Sequence, residues 1–120
     1  MAENRFDALL PQEIAQRAEA VGQIRASLDV ISMLGLSTLA GAFISMGAVF
    51  STIVAAGSGS LPYGVGRLLI GLAFCLGLIL VVVAGAELFT GNNLIVMAWA
   101  SGRVSTRMLL RNWGFVYLGN

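Results

Sequence analysis

The feature that most constrains this chain is a run of about 35 residues, between Arg67 and Arg103, in which the only ionisable side chain besides Cys75 is Glu87. An α-helix rises about 1.5 Å per residue and about 20 residues cross a hydrocarbon core, so one straight helix of this length would overshoot a bilayer by roughly half. Two complete spans and a turn need more residues than the run contains. The length therefore predicts a discontinuous helix. Its first segment runs from about Gly66 to Gly85, an irregular stretch covers Glu87 to Asn92, and a second segment runs from about Asn93 to Ala100. The second piece is too short to span by itself. The overall balance, 58% hydrophobic and 11% charged, suits a bilayer and not a water-facing shell.

The flanking segments complete an all-α membrane pattern. Val30 to Gly57 carries no charge and is long enough to span. Within it Ser37, Gly41 and Ser45 recur every four residues, a flat strip on which another helix can approach closely. Gly57 to Gly64 is a tight turn rich in breakers. From Leu109 the chain becomes apolar again, which reads as a third span cut short after its opening turns. Before the first span, residues 1 to 10 are polar and read as loosely ordered. Pro11 then suits the first turn of a helix on which Ile14, Ala18, Val21 and Leu28 form an apolar stripe. Glu13, Arg17, Glu19 and Arg25 decorate its other sides, so it reads as a solvated amphipathic helix. This divides the chain into an N-terminal segment, 1–28, and a transmembrane channel domain, 29–120.

Charge placement orients the spans. Arg103, Arg107 and Arg111 follow one another without an intervening acid, which predicts a cytoplasmic loop under the positive-inside rule. Counting back, the turn near Pro62 faces outward and the N-terminal helix is cytoplasmic. The first apolar run begins only near Leu28, unlike a cleavable signal peptide. A net charge of +1 presents no field for nucleic acid. The chain has no histidine, and its one cysteine, Cys75, lies in an apolar run as a small packing residue. The usual general base and the commonest metal ligands are thus missing, so no enzyme activity, cofactor or metal is expected.

The chemistry concentrates at the break. Backbone groups exposed inside a bilayer survive only where protein buries them or where they line a wet cavity. The helix end that follows, with free N–H donors from about Asn92 onward, favours anions. Glu87 is either a structural group, accepting hydrogen bonds from backbone amides of the irregular stretch, or a ligand of a permeating ion. A fixed negative charge repels anions, which favours the structural role. Thr90 can offer its hydroxyl to a solute or cap the second segment. Leu88 and Phe89 suit a dewetted constriction or a packed core. Phe74 and Leu78, one helical turn apart, suit a gate or ordinary packing.

The run Ala86-Glu87-Leu88-Phe89-Thr90-Gly91-Asn92, with Ala100-Ser101-Gly102-Arg103, Asn112-Trp113 and Tyr117-Leu118-Gly119-Asn120, resembles the formate/nitrite transporter family. Gly41-Ala42-Phe43-Ile44-Ser45 is similar to that family's first span. The resemblance implies a homo-pentamer of aquaporin-like protomers, each with six spans in two inverted halves and its own pore. This chain would supply the first half: two spans, the second broken, and the start of a third. It implies that Thr90 stands beside the permeation path, within a pore stretch that includes Phe89, Gly91 and Asn92. Leu88 would line the cytoplasmic constriction, and Phe74 and Leu78 the periplasmic one. The family's central histidine, in the second half, has no counterpart here. The expected function is transport of small monovalent anions across the inner membrane, formate first and nitrite second. The rivals are a structural or assembly subunit of the membrane and a neutral-solute channel.

Overall fold

The computed structural model describes residues 9–120, which leaves most of the polar stretch at 1–10 outside the described residues. Among the described residues the chain forms six helical segments and no strand. Helix α1 (Pro11–Ala26) begins at Pro11, and the Glu13 carboxylate accepts a hydrogen bond from the Leu10 backbone N–H at 2.7 Å. Helix α2 (Val30–Gly57) is capped by Asp29, whose carboxylate accepts from the Ser32 N–H at 3.0 Å.

A short turn leads into α3 (Tyr63–Ala84), which runs antiparallel to α2. Ser58 lies against Gly66, Gly47 against Gly77, and Leu36 against Glu87. The two helices approach closely at the middle pair. A Cβ added at Gly47 would fall 2.9 Å from the Phe74 carbonyl oxygen, and one at Gly77 would fall 2.8 Å from that of Phe43. Only the absence of side chains permits that approach, the logic of small residues at membrane helix interfaces. Both helices are long and apolar enough to cross a membrane, yet only 11% of each apolar window is buried within the chain. A core helix of a soluble protein would have these side chains covered, so both present their apolar surface outward, as membrane helices do.

After α3 come a single turn, α4 (Phe89–Asn92), a short helix α5 (Ile95–Ala100), and α6 (Thr106–Gly119). Ser105 caps α6 by accepting from the Met108 N–H. Helix α6 thus begins three residues before Leu109, where the apolar pattern alone would start it. The strip on α2 is used at two of its three positions. Ser37 is buried beside Gly119, and Gly41 lies against the backbone of Asn120, whereas Ser45 is exposed.

Helix α1 departs from the sequence expectation. Ile14, Val21 and Ile24 are exposed, and Leu28 falls beyond the helix end. The face that packs carries Gly22 and Ala26, which are buried, with Arg25 beside them. A Cβ on Gly22 would come within 3.3 Å of the Ile95 backbone, so α1 lies close against α5. Ala26 joins Ile95, Ala98, Val104 and Leu109 in one core cluster. Helix α1, in the N-terminal segment 1–28, thus packs on α5 and α6 through its small residues and not through its apolar stripe.

Candidate permeation site at the helix break

The break begins at Gly85, whose φ of 64° lies in the left-handed region that a side chain disfavours. The Ala86 N–H then reaches back to the Val81 carbonyl at 3.0 Å, closing α3 as a glycine C-cap does. The irregular stretch is narrower than expected. Residues 85–88 leave the helix, and Phe89 to Asn92 already form a turn. That turn shifts the free donors N-terminally. Asn92 N–H donates to the Leu88 carbonyl, whereas the amides of Thr90 and Gly91 find no acceptor among the described residues.

The remaining backbone groups are held by neighbouring helices. Glu87 N–H donates to the Leu36 carbonyl of α2 at 3.2 Å. Leu36 lies six residues into α2, so the break sits about 9 Å along that helix from its start. The carboxamide of Asn120 bridges the gap. Its Oδ1 accepts from Phe89 N–H at 2.8 Å, and its Nδ2 donates to the carbonyls of Glu87 at 3.1 Å and Ser37 at 2.7 Å. One side chain thus satisfies groups on both sides of the gap and ties them to α2.

Glu87 is buried, and its partners are side chains, not the backbone amides expected from sequence. Its Oε2 accepts from Asn92 Nδ2 at 2.6 Å, and its Oε1 lies 3.5 Å from Arg25 Nε of α1. The same Asn92 Nδ2 donates to Asn112 Oδ1 at 2.9 Å, and Arg25 Nη1 donates to Asn92 Oδ1 at 2.8 Å. Asn112 Nδ2 donates to the Arg25 carbonyl, and Trp113 Nε1 to the Asn92 carbonyl. Among the described residues no buried side-chain nitrogen or oxygen of this network lacks a partner, the condition on which a buried network holds a shape. The Arg25 guanidinium also answers the carboxylate's charge, which removes the repulsion that Glu87 alone would exert on an anion.

Beside this network lies a cleft of about 350 Å³, lined by Arg25, Leu78, Val81, Val82, Gly85, Ala86, Leu88, Thr90 and Gly91. Leu78, Leu88, Thr90 and Gly91 are therefore brought together. Thr90 is exposed, and its hydroxyl makes no hydrogen bond among the described residues; the second segment, α5, has Leu94 at its cap position and α4 has Leu88, so Thr90 caps neither. Three expected pore residues lie elsewhere. Phe74 is exposed on α3 outside the cleft. Phe89 packs edge-on against Trp113 and Tyr117, with ring centroids 6.3 and 5.3 Å away. Asn92 is fully buried and its carboxamide is committed to the network. Phe89 and Asn92 stand one and two positions from Thr90 in the break motif, but a helical turn points neighbouring side chains in different directions.

Sequence reasoning missed Arg25, Asn112 and Asn120 as parts of this site. Arg25 carries a signal in hindsight: Gly22 and Ala26, four apart, mark a close-packed face, and a cation at its edge seeks a buried partner. Asn112 and Asn120 carry none, since only the fold brings them to residues about 20 to 30 positions away.

Known proteins agree with this architecture. The sequence profile of the formate/nitrite transporter family matches residues 12–120. The formate channel FocA of Escherichia coli (strain K12) is 45% identical over 119 residues, covering 99% of this chain and 42% of that protein. The formate channel FocA of Haemophilus influenzae is 39% identical over 113 residues, 94% of this chain and 40% of that one. The probable formate transporter of Methanothermobacter thermautotrophicus is 35% identical over 106 residues, 86% of this chain and 39% of that one. The chain thus spans about two fifths of the length of these curated relatives. With an all-α membrane architecture and a profile match over nearly its whole length, this chain belongs to the formate/nitrite transporter family.

Proposed function

We propose that the full-length protein passes small monovalent anions through a pore of which this chain forms half, formate in the first place and nitrite in the second. The observation that carries the proposal is the cleft at the break. There the unpartnered Thr90 hydroxyl, the Thr90 and Gly91 amides and the Arg25 guanidinium surround a space otherwise lined by apolar side chains. Donors and a cation attract an anion, whereas Leu78 and Leu88 remove its water, so a small weakly hydrated anion is admitted over a large one. Glu87 serves the site by holding the break in shape with Arg25 and Asn92. The protein works as a homo-pentamer in the inner membrane, with the Arg103, Arg107 and Arg111 side cytoplasmic, a placement that rests on the positive-inside rule. The relatives named as formate channels support formate over other anions.

Flux into proteoliposomes carrying the full-length protein tests this. Formate and nitrite are expected to equilibrate much faster than chloride, and Thr90→Val to slow formate by about tenfold, the scale of one lost hydrogen bond to a charged group. Failure to pass either formate or nitrite overturns the anion reading. Faster permeation of glycerol than of formate assigns the pore to neutral solutes.

A further inference from the structure

A second concentration of unmet charge lies away from the break. Among the described residues the ion pairs are Arg25 with Glu87 and Arg103 with Glu19, so Arg107 and Arg111 have no carboxylate within 4.0 Å. These two arginines stand four residues apart on α6 and, with Ser27 and Met108, line a cleft of about 400 Å³. Arg111 Nη2 donates to the carbonyls of Ala26 at 3.1 Å and Leu28 at 2.5 Å, which are neutral acceptors. Its Nε is buried and has no acceptor among the described residues. Among the described residues the partly buried Arg111 guanidinium and the exposed Arg107 therefore both face one cleft without an answering carboxylate, and two such charges attract an anion.

The position of the cleft identifies the partner's chemistry. Ser27 lies three residues before the first residue of α2, and Arg107 is the second residue of α6, so the cleft sits where the spanning helix α2 begins, beside the start of α6. That is the level of lipid headgroups. The exposed Arg107 can meet phosphate oxygens through a forked pair of hydrogen bonds, Arg111 adds its charge, and Met108 offers an apolar wall beside them. We infer that this cleft binds a phosphate group, as carried by an anionic phospholipid or by free phosphate. Binding there joins the end of α1, which Arg111 already holds through Ala26, to the start of α6.

Native mass spectrometry of the full-length protein tests the site with three probes: phosphatidylglycerol, phosphatidylcholine and inorganic phosphate. Phosphatidylglycerol is expected to be retained over phosphatidylcholine. Arg107→Gln, at an exposed position, is expected to lower its retention about fivefold, the scale of one arginine near an anionic headgroup. Arg107→Lys recovers part of the loss, and Arg17→Gln, a charge-matched change on α1, leaves retention unchanged. Displacement of the lipid by millimolar phosphate supports a general phosphate site, and resistance to it supports a headgroup site. Equal retention of the two lipids, or an Arg107→Gln protein that melts normally and matches the Arg17→Gln control, overturns the inference.

Discussion

The α2–α3 pair and the layer formed by α1 with α4 to α6 both bury helices against one another, and the second adds a means that the first lacks. In the pair, contact depends on missing side chains: Gly47 and Gly77 let two backbones meet, and a small cluster of Ala40, Val81 and Ala86 fills the rest. The other layer has a small-residue seat of its own, Gly22 and Ala26 against α5, and adds to it polar side chains that answer one another, from Arg25 through Glu87 and Asn92 to Asn112. The difference follows from the break. Continuous helices satisfy their own backbone and need only shape, whereas an interrupted one needs donors and acceptors brought from elsewhere. The cleft proposed as the permeation site lies on the interrupted side, where polar groups are already present.

Removing Glu87 is the strongest way to separate the two regions. Glu87→Ala leaves Arg25 and Asn92 without their partner in a buried setting, and the full-length protein is expected to lose about 3 to 5 kcal/mol in denaturant unfolding. Glu87→Gln keeps an acceptor for Asn92 but leaves the guanidinium unanswered, so its loss is expected to be smaller. A loss for Glu87→Ala no greater than for a crowded glycine would show that the two layers do not differ in kind.

The next effect belongs to the apolar pair. Gly77→Val places carbon 2.8 Å from the Phe43 carbonyl oxygen, a backbone atom that cannot turn aside, and is expected to cost about 1 to 3 kcal/mol by the same measurement. Gly71, whose Cβ would meet nothing within 4 Å, provides the control: Gly71→Ala is expected to leave stability nearly unchanged. Asn120→Ala follows, with an expected loss of about 1 to 2 kcal/mol as the amide of Phe89 and the carbonyl of Glu87 lose their bridge. Formate flux in that variant should fall further than its stability, because the bridge shapes the break itself.

The smallest effect lies at the entrance to α2. The backbone N–H of Ser32 holds the Asp29 carboxyl below the usual carboxylate range. A folded-state value below the unfolded one means that the cap's contribution is present above the unfolded value and lost as pH falls through the lowered folded value. Asp29→Ala should therefore melt slightly lower than the parent at neutral pH, and the gap should close in acid. A gap that persists unchanged in acid would show that the carboxylate is not what caps the helix.

Much of this protein was legible because bilayers impose lengths. The uncharged run at 30–57 and the lone carboxylate between Arg67 and Arg103 demanded one span and one interrupted helix, and Gly85 supplied the interruption near the place where spacing put it. Thr90 and Leu88, singled out in the break motif, and Leu78, singled out with Phe74 on the segment before it, do share a cleft, from which Phe74 is absent. The sequence by itself determined the helices, their break and the apolar surface they present to lipid, since these follow from local propensity and from the hydrophobic length of the run.

Only the tertiary structure decided who answers Glu87, which face of α1 is buried, and which of the neighbouring residues Phe89, Thr90 and Asn92 reaches the cleft. The physical reason is that partners of a buried polar group are chosen by proximity in space. Arg25 lies 62 positions before Glu87 and Asn120 lies 33 after it, and no local pattern encodes distances of that kind.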